Sequence, residues 1–143
     1  MSIEEAVTAT DSDGVPCRLF LADDVEGIRV LWRYLFEAEA DFVVVGEAAD
    51  GDAALDGIAA TDPDVVVLDL SMPGRDGMEV LKVLRELDPD LPVVVVASAF
   101  AAVRLEALAL ELGAAAYFEK GKPGAELLDA VRTACRSLDE QTA

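Results

Sequence analysis

The sequence predicts a doubly wound α/β sandwich: a five-stranded parallel sheet with helices on both faces. Two observations carry that expectation. Short apolar or β-branched runs alternate with longer segments of helical period along the chain. The middle runs, Val65-Val66-Val67-Leu68 and Val93-Val94-Val95-Val96, do not alternate with polar residues, as strands covered by helices on both sides require. At 143 residues, 53% of them hydrophobic, the chain fits one domain with a sizeable core and has no room for a second globular unit.

The elements follow in order. Residues 1–16 are small and polar, with Asp11-Ser12-Asp13-Gly14 at turn spacing, and read as a flexible extension. The domain is expected over 17–138, with 139–143 as a short tail. A strand over Arg18–Ala22 leads to a helix over Val25–Glu39, in which Ile28, Leu31, Leu35 and Phe36 share a face. A strand over Phe42–Ala48 precedes a helix over Asp52–Ala60, closed by Pro63. The third strand, Val65–Asp69, is followed by a loop and a helix over Gly77–Leu87 with Val80, Leu81, Leu84 and Leu87 on one side. Pro89 and Pro92 separate that helix from a strand over Val93–Ala97. The helix over Ala101–Leu112 ends where Gly113 offers a C-cap, and a short strand over Ala116–Glu119 leads to a last helix over Ala125–Leu138.

Charge and composition narrow the function. Lys and Arg total 11 against 29 Asp and Glu, a net charge of -18, and no basic cluster offers a footprint for phosphates of nucleic acid. Direct DNA or RNA binding is therefore not expected. The chain has no histidine, which removes His-based catalysis and the usual zinc sites. Cys17 and Cys135 are far apart in a sequence without a signal peptide, so they are expected as free thiols in a reducing, cytoplasmic compartment. The apolar runs are too short to span a bilayer, and no membrane association is expected.

Ligands of such open sheets bind outside the carboxyl ends of the strands. Asp23 and Asp24 end the first strand, Asp69 the third, Ser98 the fourth and Lys120 the fifth. Taken singly, each has a plain structural explanation. An Asp-Asp pair can cap a helix, Asp69 can be a loop acid, serines end strands in turns, and surface lysines are common. Together they form three acids, one hydroxyl and one ammonium at a single edge. Crowded carboxylates disfavour their own ionisation unless a divalent cation neutralises them, and Mg²⁺ takes one or two carboxylates together with phosphate oxygens.

These residues stand in recognisable text: Leu21-Ala22-Asp23-Asp24, Val67-Leu68-Asp69-Leu70-Ser71-Met72-Pro73-Gly74-Arg75-Asp76-Gly77, Ala97-Ser98-Ala99 and Gly113 to Lys120. From Cys17 to about Leu138 the chain resembles the receiver domain of two-component response regulators. The resemblance implies a flavodoxin-like strand order of 2-1-3-4-5, as in the chemotaxis member of that family. It implies that Asp69 accepts a phosphoryl group from the phosphohistidine of a sensor histidine kinase or phosphotransfer protein. It further implies Mg²⁺ on Asp24, Asp69 and the backbone carbonyl of Ser71, with Asp23 acting through water. Lys120 would pair with a phosphoryl oxygen, Ser98 would donate its hydroxyl to the attached group, and Tyr117 would change rotamer with it. The implied role is a self-catalysed phosphoacceptor and not an enzyme, switching a surface for an unknown downstream protein, with a homodimer left open. Ser71 and Phe100 would flank the path of a hydrolytic water.

One departure stands out: Gly121-Lys122-Pro123 follows Lys120, where many relatives have a proline directly after the lysine. Lys120 is favoured over Lys122 because it ends the Tyr117-Phe118-Glu119 run. Alternatives are the receiver fragment of a DNA-binding regulator and an interaction module that is not phosphorylated. A haloacid-dehalogenase-type phosphatase would need an aspartate two positions after Asp69, where Ser71 stands.

Overall fold

Five parallel strands form one sheet in the order β2-β1-β3-β4-β5. The computed structural model describes residues 14–99 and 103–142, with side chains as far as Leu138. The strands are β1 (Cys17–Ala22), β2 (Phe42–Ala48), β3 (Val65–Asp69), β4 (Val93–Ser98) and β5 (Ala116–Glu119). The helices are α1 (Glu26–Glu37), α2 (Gly51–Thr61), α3 (Gly77–Leu87), α4 (Val103–Glu111) and α5 (Gly124–Thr142). The start expected for the fourth helix, at Ala101, and most of the expected N-terminal extension lie outside the described residues.

Pleating divides the strand side chains between two cores. Phe20, Ala22, Val66, Leu68, Val94 and Val96 face one way, against Ala54 and Ile58 of α2, Val80, Leu81 and Leu84 of α3, and Ala109 of α4. Leu19, Leu21, Val65, Val67, Val93 and Val95 face the other, against Trp32 and Phe36 of α1 and Leu127, Val131 and Ala134 of α5. Every residue of β3 and β4 is buried, which is why those runs carry no polar alternation.

Local chemistry sets the boundaries. Asp50 caps α2 by accepting from Ala53 N at 2.8 Å, and Asp76 caps α3 by accepting from Glu79 N at 3.0 Å. Gly113 follows α4 with φ of 106°, a left-handed turn that suits glycine. The β1–β2 register slips between Leu19 and Phe20, which sets Phe20 opposite Gly46. A Cβ on Gly46 or on Gly57 would approach the Phe20 ring to 2.8 or 2.6 Å, so the two glycines make room for that ring in the first core.

Three expectations are corrected. Leu31 is 60% exposed: the buried stripe of α1 runs through Trp32 and Phe36, with Ile28 and Leu35 at its margin, and this phase turns Leu31 to solvent. Leu87 is 78% exposed because it is the last residue of α3, beyond the reach of the first core. Cys17 and Cys135 are not free thiols but a disulfide, with Cα atoms 6.2 Å apart. A separation of 118 residues hid the pairing in the sequence. In the fold, the first residue of β1 lies beneath the buried face of α5, in the same core.

Arg132 fastens α5 a second time. It donates to Asp41 and Glu39, each at 2.7 Å, and its guanidinium stacks 5.2 Å from the centroid of Phe42. The carboxylate of Asp41 first, and that of Glu39 after it, hold the Arg132 pKa above its ordinary value against the opposing effect of burial.

Closing a loop of this length constrains the unfolded chain, so the disulfide should contribute about 2–4 kcal/mol. Reductant should lower the denaturation midpoint of the native protein and leave that of a Cys17→Ala/Cys135→Ala protein unchanged. Equal midpoints for native protein with and without reductant would show that the link adds no stability.

Candidate functional site

The strand order places the carboxyl ends of β1 and β3 side by side, and Asp23 and Asp69 stand there. Asp23 follows β1 directly and is fully buried, while Asp69 is the last residue of β3 and 2% exposed. Asp24 is exposed beside them. One carboxylate oxygen from each of the three lies within 4.8 Å of the others.

Backbone contacts fix the acids. Asp23 Oδ1 accepts from Val25 N at 2.8 Å, so this carboxylate turns the chain into α1. The N-cap residue of α1 is Val25, without a side-chain cap bond, so neither aspartate serves as the cap. Arg29 donates to the carbonyl of Asp23 at 2.7 Å and is ion-paired with Glu47 at 3.3 Å, tying the end of β1 to β2. Asp69 Oδ1 accepts from Ser71 N at 3.3 Å. Behind Asp69 the packing leaves no slack: a Cβ on Gly77 would lie 2.2 Å from the Asp69 carbonyl oxygen, so only glycine lets α3 begin there.

Lys120, one residue past β5, reaches across the end of β4 to both buried acids. Its ammonium is ion-paired with Asp23 and lies 3.1 Å from Asp69 Oδ1. The Lys120 N–H donates to the Ser98 carbonyl at 2.7 Å, which locks the base of the side chain to β4. Lys122 points elsewhere: it is exposed and lines a groove of about 320 Å³ with Val103, Glu106, Tyr117, Glu119 and Glu126. Among the described residues the cis peptide bond is Leu91-Pro92, not the Lys122-Pro123 bond.

The structure thus brings Asp23, Asp24, Asp69 and Lys120 together. Ser98 is buried at the end of β4, opposite Glu119 in the ladder. Tyr117 is not in the acidic cluster. It is half-buried, packs against the first core and lines the groove. Ser71 is exposed in the loop after β3, and Phe100 lies outside the described residues. Trp32 was not among the site residues expected from sequence, yet its ring centroid is 5.7 Å from Lys120 Nζ. The signal available for it was helical phase: it faces the sheet two turns after the Asp23-Asp24 pair.

Electrostatics follow from the crowding. Burial foremost, then the charge of Asp23, raises the Asp69 pKa from 3.8 to about 6, while Lys120 and the Ser71 N–H work in the opposite direction. Burial pulls Lys120 downward, but bonds to Asp23 and Asp69 more than offset it and the net displacement is upward. Asp69 Oδ2 is buried with no hydrogen-bond partner among the described residues. An orphaned carboxylate oxygen beside two further acids suits a hard divalent cation.

Because folded Asp69 keeps its proton to about pH 6 and an unfolded aspartate releases it near 3.8, folding binds a proton between those values. The stability this group supplies is full below about pH 4 and is lost as pH rises to about 6. In metal-free protein the urea midpoint, taken relative to that of Asp69→Asn, should therefore fall over this interval. A flat or rising difference would show that Asp69 is not held in its neutral form.

Comparisons with known proteins identify the family and the fold. The family model described as the response regulator receiver domain matches residues 19–132. The chain is 36% identical over 120 residues to the transcriptional regulatory protein LiaR of Bacillus subtilis, covering 83% of this chain and 56% of that protein. It is 34% identical to sporulation initiation phosphotransferase F of the same organism, covering 80% of this chain and 90% of the relative. Among solved structures it superposes on the receiver domain of the response regulator NarL from Mycobacterium tuberculosis with a TM-score of 0.80 and 34% identity, over 85% of this chain and 98% of that one. A CheX-CheY-BeF3-Mg complex from Borrelia burgdorferi gives a TM-score of 0.79 at 27% identity, over 84% and 90% of the two chains. A chain with this strand order, this acidic edge and these relatives belongs to the response regulator receiver domain family.

Proposed function

We propose that Asp69 is the phosphoacceptor of this receiver domain and that Asp23, Asp24 and Lys120 form the machinery around it. The observation that carries this reading is Asp69 itself: a buried carboxylate with one oxygen held by Lys120 and the Ser71 N–H and the other without a partner. A carboxylate oxygen of Asp69 attacks the phosphorus of a phosphohistidine, the P–N bond breaks, and the imidazole leaves with the electron pair. The phosphoryl oxygens then need positive charge and donors. Lys120 supplies the charge from its place 3.1 Å from Asp69, and the hydroxyl of Ser98, at the end of the adjacent strand, is the donor for one of them.

Mg²⁺ would be held by Asp24, Asp69 and the Ser71 carbonyl, with Asp23 outside its first ring of ligands. When bound, it neutralises the acidic cluster and the incoming phosphoryl charge. The division of labour between the two acids has support in their surroundings. Asp23 is buried and committed to Lys120 and the Val25 N–H, whereas Asp24 is exposed and open to a hydrated ion.

The attached dianion is the switch. It draws on Ser98 and Lys120, which flank Ala99 and Gly121 at the ends of β4 and β5, so both loops feel the new charge. The face above them is made by α4, β5 and α5 and includes the groove lined by Tyr117. Tyr117 is the rotamer that couples the two. The partners on this reading are a histidine kinase or phosphotransfer protein and a downstream protein that docks on that face. The setting is the cytoplasm, where the Cys17–Cys135 disulfide is open to reductant through the partly buried Cys17. Among the described residues no helix is long and apolar enough to cross a membrane.

Acetyl phosphate with Mg²⁺ should add a single phosphoryl group, read as one phosphate in intact mass, and Asp69→Ala should add none. A variant that still gains it, or native protein that gains none from any donor, refutes the assignment. Asp24→Ala should weaken Mg²⁺ binding more than Asp23→Ala, measured by calorimetry.

Beryllofluoride with Mg²⁺ should change amide exchange first on the switch face. Unaltered protection from Val103 to Ala125, with beryllofluoride shown to be bound, would remove that face from the mechanism.

A further inference from the structure

Trp32 is the single tryptophan of the chain and is 4% exposed, part of the second core that also holds Leu21, Ala97 and Leu127. Lys120 leans against it. The ammonium lies 5.7 Å from the ring centroid, and it also meets Asp23 and, at 3.1 Å, Asp69. Two negative groups and an aromatic face thus surround it.

Three kinds of wall would act differently on a cation. A carboxylate attracts it strongly at short range and in a dry site can hold it fast. An aliphatic wall gives it nothing and costs it hydration. An indole face attracts it through the ring quadrupole, more weakly and over a broad area, without carrying a charge that would compete with an incoming anion for the ammonium. Lysine needs such guidance more than arginine does, because its ammonium is a point charge on a flexible four-carbon stem. The base of that stem is fixed by the Lys120 N–H bond to Ser98, and the ring bounds the sweep of its tip.

We propose that Trp32 is a positioning residue: its indole face holds the Lys120 ammonium at the mouth of the carboxylate cluster, poised to transfer from Asp23 and Asp69 to a phosphoryl oxygen. This rests on the reading of Asp69 as phosphoacceptor. It assigns Trp32 no contact with the phosphoryl group and no share in the metal.

The test separates contact from consequence. With excitation selective for indole, emission of the native protein reports Trp32 alone, so Lys120→Met should change its intensity by removing the ammonium from the ring, and beryllofluoride with Mg²⁺ should shift the native emission more than that of Lys120→Met. Trp32→Phe keeps an aromatic face and Trp32→Leu does not. Beryllofluoride affinity and the rate of phosphoryl gain from acetyl phosphate should fall about two- to tenfold in Trp32→Leu and stay within about twofold of native in Trp32→Phe. The affinity for Mg²⁺ alone, measured by calorimetry, should be the same in all three, since a general disturbance of the cluster would lower it in step. Emission indifferent to Lys120→Met, or a Trp32→Leu protein equal to native in both beryllofluoride affinity and rate, overturns the proposal while leaving Asp69 as acceptor. So does a parallel loss of Mg²⁺ affinity. Native protein that takes neither beryllofluoride nor a phosphoryl group ends both readings together.

Discussion

Two carboxylates buried side by side with one ammonium between them are the constraint on which the molecule turns. Burying like charges is costly, and a single cation cannot fully satisfy two anions. The residue of that imbalance is visible as an Asp69 side chain displaced toward its neutral form and an oxygen left without a partner. A core of valine and leucine on both faces of the sheet offsets the cost. The same imbalance makes the site receptive, because added positive charge or a phosphoryl group with its counter-ion relieves it.

Topology explains how residues so distant in sequence meet. Strand order puts β1 against β3, which aligns Asp23 with Asp69, and β4 against β5, which brings Lys120 beside Ser98. Lys120 must still cross the end of β4 to reach the acids, and a long unbranched side chain does so. Close packing sharpens the placement. Gly77 lets α3 start against the carbonyl of Asp69, and Gly51 lets α2 start against the carbonyl of Arg75, where a Cβ would lie 1.9 Å away. The acidic edge thus rests on contacts with little room to relax.

The fold was largely legible because parallel buried strands write themselves as uninterrupted apolar runs. Proline and glycine punctuate the chain close to where the elements end. What stayed hidden depends on three dimensions. The phase of α1 could not be chosen between Leu31 and Trp32 from periodicity, since both border the apolar stripe and only packing against β1 and α5 selects one. Leu87 has the right period but sits at a helix end, where geometry and not pattern decides burial. For the site, aspartates at strand ends were readable as a cluster because the ends of parallel strands converge. The indole beneath Lys120 was not, since an aromatic on a helix face reads as core. The cysteines misled for a related reason: sequence spacing and compartment arguments carry no information on two residues 118 apart.

That disulfide has a mechanical meaning as well. It joins Cys17, the first residue of β1, to Cys135 in α5, so nearly the whole domain hangs as a covalent ring between two neighbouring points. A pull applied to the chain on either side of the ring would run along the sulfur bridge and pass the sheet by. The strands would carry none of the load. A domain built this way can sit in line with a tethered or strained polypeptide while its acidic edge stays undistorted.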